Sequence, residues 1–232
     1  MALQFDHVTL QQGTFTLTAD FTLSAATTAI IGPSGGGKST LLAAVAGFLE
    51  PAAGAIRWRG QSLTGLAPGA RPVSMLFQDN NLFPHLTAAQ NVGLGLRPNL
   101  KLTADDHARI SDAMAKVDLT GLEHRKPGAL SGGQQSRVAL ARVLVADRPL
   151  VLLDEPFAAL GPGLRAEMLG LLQAVLTQAD KKIVIVTHDP QDARQVADEV
   201  VLVAKSTAQA PISTRDLFAN PPKALRDYLG HN

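Results

Sequence analysis

The sequence predicts an α/β fold built around a mainly parallel sheet. The first sign is alternation: apolar strand-like runs and helical runs follow one another along most of the chain. The second is two runs, "PLVLLD" (149–154) and "KIVIVTHD" (182–189), too uniformly apolar for strands with one wet face. The third is "TTAII" (27–31), a buried-strand candidate that runs through a glycine-rich loop directly into a helix.

The elements follow in order. "FDHVTL" (5–10) and "FTLTADFTL" (15–23) are β-type runs separated by Gly13. After "TTAII" comes a helix over 38–46, stopped by Gly47. "AIRWRG" (55–60) and "RPVSMLFQ" (71–78) read as strands. Thr87 and Gln90 form a capping box for a short helix, and Thr103 caps "ADDHARISDAMAKV" (104–117). Residues 84 to 145 are mainly helical, an island in a β/α chain. "RAEMLGLLQAVLTQ" (165–178) is amphipathic, "DARQVA" (192–197) is a helix, and "DEVVLVA" (198–204) is a last strand.

Composition narrows the function classes. The 232 residues are 46% hydrophobic and 18% charged, which supports a packed core and argues against disorder. A net charge of +1 without a basic run argues against a nucleic-acid surface. With no cysteine, disulfides and thiolate metal sites are excluded. The first ten residues lack the basic and apolar regions of a signal peptide. The longest apolar run, "LLAAVAGFL" (41–49), is far short of the ~20 residues of a membrane span.

Four constellations carry chemistry. "GPSGGGKST" comprises Gly32, Pro33, Ser34, Gly35, Gly36, Gly37, Lys38, Ser39 and Thr40, and fits G-x-x-x-x-G-K-[ST] between a strand and a helix. Its glycines expose backbone N–H groups to phosphates, Lys38 supplies a cation for β- and γ-phosphates, and the Ser39 hydroxyl suits Mg²⁺. At the end of "VLLDEP", Asp154 is placed to hold Mg²⁺ and Glu155 to deprotonate an attacking water; without the loop, the pair reads as solvated acids at a strand end. Gln78 closes "VSMLFQ" and His188 closes "IVIVTH". A lone histidine is usually structural, but the carboxyl ends of parallel strands are where α/β sheets bind ligands. Finally, "LSGGQQSRVALAR" (130–142) starts a helix, with Ser131 and Gln134 forming a capping box around Gly132 and Gly133. Each glycine costs about 1 kcal/mol against alanine inside a helix. Two readings stand: a sharp turn, or bare N–H groups kept for an anion.

With the phosphate loop, Gln78, "LSGGQ", "LLDEP" and His188 in this order, the chain resembles the ATP-binding subunit of ABC transporters over nearly its whole length. The resemblance implies a P-loop NTPase, an ABC cassette with a RecA-like core sheet, an N-terminal antiparallel β subdomain and a helical subdomain. Residues 1–83 and 146–232 would form the core, and about 84–145 the helical part that carries the signature motif. It implies ATP and Mg²⁺ as cofactors, and a second copy of the chain paired head to tail. Each ATP would then lie between one phosphate loop and the Ser131, Gly132, Gly133 and Gln134 of the other copy. Lys38, Ser39 and Thr40 would hold phosphates and magnesium, with Gln78 and Asp154 completing the magnesium set. Glu155 would be the general base, and His188 would contact the γ-phosphate.

The resemblance further implies transmembrane permease subunits, a periplasmic substrate-binding protein and no nucleic acid as partners. It places the chain peripherally, on the cytoplasmic face of a bacterial inner membrane. A separate cassette without fused membrane helices fits an importer, and "STRDLFANPPKALRDYLGHN" (213–232) is too short for a C-terminal regulatory domain. The block "RPVSMLFQDNNLFPHLTAAQNVGLGL" (71–96) is most similar to the ATPase subunits of thiamine importers. Importers of iron(III), polyamines, sulfate or molybdate remain alternatives, and a monomeric P-loop kinase is one from another class. The chain departs from the family pattern at Gly161, where an aspartate is usual, and at Ser136, where glutamine is frequent. Phe15 is the nearest aromatic candidate to stack on adenine.

Overall fold

Five consecutive buried residues, Thr27–Ile31, form the strand at the centre of the phosphate-loop half of the molecule. The computed structural model describes residues 2–223 and 225–226; the end of the C-terminal tail, 227–232, lies outside the described residues. The elements in chain order are β1 (Leu3–Gln12), β2 (Phe15–Leu23), β3 (Thr27–Ile31), α1 (Lys38–Ala46), β4 (Ala53–Trp58), β5 (Gln61–Ser62) and β6 (Val73–Leu76). Then come α2 (Ala88–Gly93), α3 (Ala104–Ala115), α4 (Gly132–Val145), β7 (Leu150–Asp154) and α5 (Pro162–Gln178). The chain continues with β8 (Lys182–Val186), α6 (Pro190–Val196), β9 (Glu199–Ala204), β10 (Thr207–Ala208), β11 (Ile212–Ser213) and α7 (Thr214–Ala219). Two compact units divide it: one runs up to Val73 and resumes at Lys182, the other is Ser74–Lys181.

In the first unit the strands run β5-β4-β1-β2-β10-β9-β3-β8, with β11 beside β9. β3 lies between β8 and β9, parallel to both, and all three are almost wholly buried. That burial is why they read as continuous apolar runs. β1, β2 and β4 pair antiparallel and alternate instead, with Leu3, Phe5, Val8 and Leu10 of β1 buried. A bulge between Phe5 and Val8, with His7 at φ 47°, shifts the register, so the apolar residues on either side of it all stay buried.

In the second unit α2, α3 and α4 pack on one another and α4 packs on α5. Ile110, Met114, Val138, Leu140, Met168, Leu169 and Leu172 of the helices are buried, as are Leu150, Val151, Leu152 and Leu153 of β7. Truncating any of the leucines to alanine is expected to cost about 2–5 kcal/mol. The helical stretch expected over 84–145 consists of three separate α-helices, with a short 3-10 helix at Pro127–Ala129 before the last. Among the described residues, no helix is long and apolar enough to cross a membrane.

Candidate functional site

In the first unit, β3 delivers the glycine loop at its carboxyl end. Gly32 sits where an added Cβ would land on the Val203 carbonyl of β9, so no other residue fits without moving that strand. Gly37, at φ 99°, is the N-cap of α1, and a Cβ there would lie 2.7 Å from the ring of Phe15. Phe15, half-buried at the start of β2, therefore packs over the loop. Lys38 is buried, and its ammonium donates to the carbonyls of Gly32 (2.9 Å) and Pro33 (3.0 Å), folding the cation back over the loop. Pro33, Ser34, Gly35 and Ser39 are exposed, while Gly36 and Thr40 are intermediate.

The far end of α1 is pinned by Arg71, whose side chain is fully buried. Its guanidinium donates to the carbonyls of Ala44 (2.7 Å), Val45 (3.1 Å) and Leu66 (2.8 Å), and it pairs with Glu50 at 2.7 Å. Burial pushes the Arg71 pKa down, and the Glu50 carboxylate offsets part of that effect. Gly47 makes the space: a Cβ there would lie 2.6 Å from the guanidinium Nε.

His188 belongs to the same edge. β8 is in register with β3, Val186 opposite Ile30, and the Thr187 amide donates to the Ile30 carbonyl at 3.2 Å. His188 thus leaves its strand beside Gly32. The strand itself ends at Val186, so the expectation that His188 closes it is corrected by two residues. The reason is local. The Thr187 hydroxyl donates to Asp192 at 2.6 Å and accepts from the Asp189 amide at 3.0 Å, which turns the chain into α6.

In the second unit, β7 ends on Asp154, and Glu155 follows at φ 44° with Phe157 at φ 66°. Left-handed backbone at two non-glycine residues costs about 1 kcal/mol or more each and is typical of functional sites. β6 ends at Leu76, so Gln78 lies in the loop beyond it rather than closing the strand. That loop turns at Asn80 (φ 57°) and Asn81 (φ 51°), residues that tolerate left-handed backbone.

The signature helix starts as its spacing predicts. The Ser131 hydroxyl accepts from the Gln134 amide at 3.3 Å, and the Gln134 side chain accepts from the Ser131 amide at 2.9 Å. The two glycines differ. Gly132 is exposed, and a Cβ there would make an ordinary 3.7 Å contact with Leu160. Gly133 is buried, and a Cβ would come within 3.0 Å of Leu164, so packing against α5 is one reason for this glycine. Gly161, a departure from the family pattern, is the N-cap of α5 and makes no side-chain cap bond.

Gln78, Asn80, Gly132, Ser136, Phe157 and Leu160 line one cleft of about 260 Å³ within this unit. Three polar contacts at the Asn80–Asn81 turn follow from no sequence pattern. Asn80 donates to Ser136 at 3.2 Å, and Arg142 donates to the carbonyls of Asn80 (2.6 Å) and Asn81 (2.8 Å). Burial lowers the Arg142 pKa. The one available signal, "DNN", reads only as a turn.

The ABC transporter family model matches residues 18–158. The chain is 57% identical over 229 residues to a thiamine import ATP-binding protein, ThiQ, of Cereibacter sphaeroides, covering 98% of this chain and 99% of that protein. It is 53% identical to the ThiQ of Ruegeria sp., with the same coverage, and 47% identical to that of Jannaschia sp., covering 98% of this chain and all of that one. Among solved structures it is similar to a dimeric ATP-binding cassette in a post-hydrolysis state bound to ADP and Pi. The TM-score is 0.77 at 27% identity, over 92% of this chain and 99% of that one. A dimeric bacterial ABC transporter cassette gives the same values.

Proposed function

We propose that this chain, which belongs to the ABC transporter family of ATP-hydrolysing cassettes, drives the import of thiamine or its phosphates through a separate permease. The observation that carries the cargo is the identity of 57% with a thiamine import ATP-binding protein across practically the full length of both chains. The chain's own chemistry supplies the motor and does not touch the cargo.

The phosphate loop and Lys38 take the ATP phosphates. The loop's glycines allow close approach, the N-terminus of α1 favours negative charge, and the ammonium already lies over the loop. Phe15, packed against Gly37, is the aromatic surface available to adenine. Ser39, Gln78 and Asp154 all offer oxygen, the donor set that fits Mg²⁺. When bound, that ion neutralises phosphate charge. Glu155 takes the proton of a water whose oxygen bonds to the γ-phosphorus as the bond to the β-phosphate oxygen breaks. His188 holds the γ-phosphate. Ser131, Gly132, Gly133 and Gln134 bind the nucleotide of a second copy, paired head to tail. The dimer closes on ATP and reopens after hydrolysis. With the chain on the cytoplasmic face of the membrane, transmembrane permease subunits convert that cycle into uptake, and a periplasmic binding protein delivers the cargo. Residues of about 84–145 act as the helical subdomain that presents the signature helix.

The test is uptake of labelled thiamine in cells that lack any other thiamine importer and carry the chain intact or as Glu155→Gln. The expected result is uptake by the first and loss in the second, with other solutes unaffected. Absence of thiamine uptake in the cells carrying the intact chain overturns the cargo assignment, and normal uptake in the Glu155→Gln cells overturns the role given to Glu155.

A further inference from the structure

We infer that Asn80, Ser136 and Arg142 form a latch that fixes the loop carrying Gln78 to the signature helix, so that the two move as one body. The latch rests on the two-copy reading above, in which Gln78 serves the chain's own nucleotide and the start of α4 serves the partner's.

The latch is built from both sides. On the loop, Asn80 and Asn81 both hold left-handed backbone, at φ 57° and 51°, and their carbonyls accept from one guanidinium. That guanidinium, Arg142, projects from the signature helix itself, and burial makes it costly to leave unpaired. Between them the Asn80 amide donates to the hydroxyl of Ser136, which is 2% exposed. Ser136 lies four residues after Gly132, on the same face of α4, and both line the cleft that also contains Gln78. Asn80 is two residues beyond Gln78.

A displacement of Gln78 is thereby carried to Gly132 through three short bonds. Because these two positions belong to different nucleotides in the paired dimer, the latch ties occupancy of one site to the geometry of the other. In thermodynamic terms it supplies the physical connection that a coupling free energy between two sites requires. Asn80, Ser136 and Arg142 are positioning residues; they touch no reacting atom.

Two variants remove the side-chain bond of the latch and leave the two Arg142 bonds in place. Asn80→Gly permits the left-handed conformation and removes the side chain with its amide. Ser136→Ala removes only the hydroxyl. The full chain is assayed for ATP affinity by fluorescent nucleotide titration without turnover, and for maximal ATPase rate. Each variant is expected to bind ATP within about twofold of the parent while its maximal rate falls about fivefold, the effect of one lost hydrogen bond. The double variant is expected to be no slower than either single one, because both remove the same bond. Ser136→Thr, which restores a hydroxyl, should recover rate over Ser136→Ala. Additive losses, parallel falls in affinity and rate, or unchanged rates overturn the latch.

Gly132→Asp, run alongside, separates the latch from the reading beneath it. The site has room for a Cβ, and an acid in the first turn suits the helix, but the carboxylate repels phosphate. If Gly132→Asp loses hydrolysis while the latch variants match the parent, only the latch falls. If Gly132→Asp hydrolyses ATP normally, the two-copy reading falls and takes the latch with it.

Discussion

The phosphate-loop helix α1 and the signature helix α4 both begin in glycine, yet they are finished in opposite ways. The N-cap of α1 is Gly37, in left-handed backbone, with no side-chain cap bond and no acid in the first turn. The N-cap of α4 is Ser131, in extended backbone, closed by a reciprocal box with Gln134. The other two starts in the helical stretch follow α4: Thr87 with Gln90 opens α2, and Thr103 with Asp106 opens α3. A helix start that satisfies its own N–H groups holds its shape without a ligand. One without a side-chain cap presents its first turn and positive dipole end to an anion. α4 stands between the two cases. Its box uses the Ser131 and Gln134 amides and leaves those of Gly132 and Gly133 to other partners.

The contrast can be broken most severely at Lys38. Lys38→Ala removes the cation from the uncapped start, and ATP affinity should fall about 100-fold in a nucleotide titration, as expected for charge-assisted bonds to phosphate. An affinity within a few-fold of the parent would mean that the loop amides and the helix dipole suffice. A smaller effect is expected at the capped start. Ser131→Ala opens the box and should cost about 1 kcal/mol, lowering Tm by about 2–4 °C for a chain of this size. If the melting temperature is unchanged, the box contributes nothing and α4 is held by its packing alone.

The subtlest test concerns a cap made with a charge. The Asp106 carboxylate accepts from the Thr103 amide at 2.9 Å and from Arg97 at 2.5 Å. The backbone bond from Thr103 chiefly, and Arg97 next, lower its pKa from 3.8 to about 2. A lowered folded-state value means that the stabilising effect is complete above the unfolded value and fades as pH falls through the folded one. The Asp106→Asn variant should therefore melt below the parent at pH 7, and the gap should close between about pH 4 and pH 2. A gap constant with pH would assign the effect to packing instead.

Local patterns were legible in the sequence wherever their cause was local. A capping box spans three residues, so Thr87, Thr103 and Ser131 announce themselves. The strand–loop–helix at Gly32–Thr40 is equally self-contained, and the helix boundaries 38–46 and the Gly47 stop follow from it. Strand ends were less legible. Apolar character runs on to Phe77 past the end of β6, and only the left-handed turn at Asn80 and Asn81 shows why Gln78 stands free of the strand. Glu155 was identifiable by its neighbours, but its left-handed backbone was not, because nothing in "LLDEPF" encodes that torsion.

The sequence by itself determined the class of the fold, the order of its elements and the residue types suited to phosphate. Each of these depends on periodicity or on spacing of a few positions, and such information is carried along the chain. Only the tertiary structure decided which distant residues became neighbours. Phe15 lies over Gly37, Arg71 pins the last turn of α1, Leu164 claims the space beside Gly133, and Asn80 reaches Ser136 across 56 positions. Those pairings are set by how buried faces interlock, and close packing permits only one arrangement of side chains among many that the same pattern would allow.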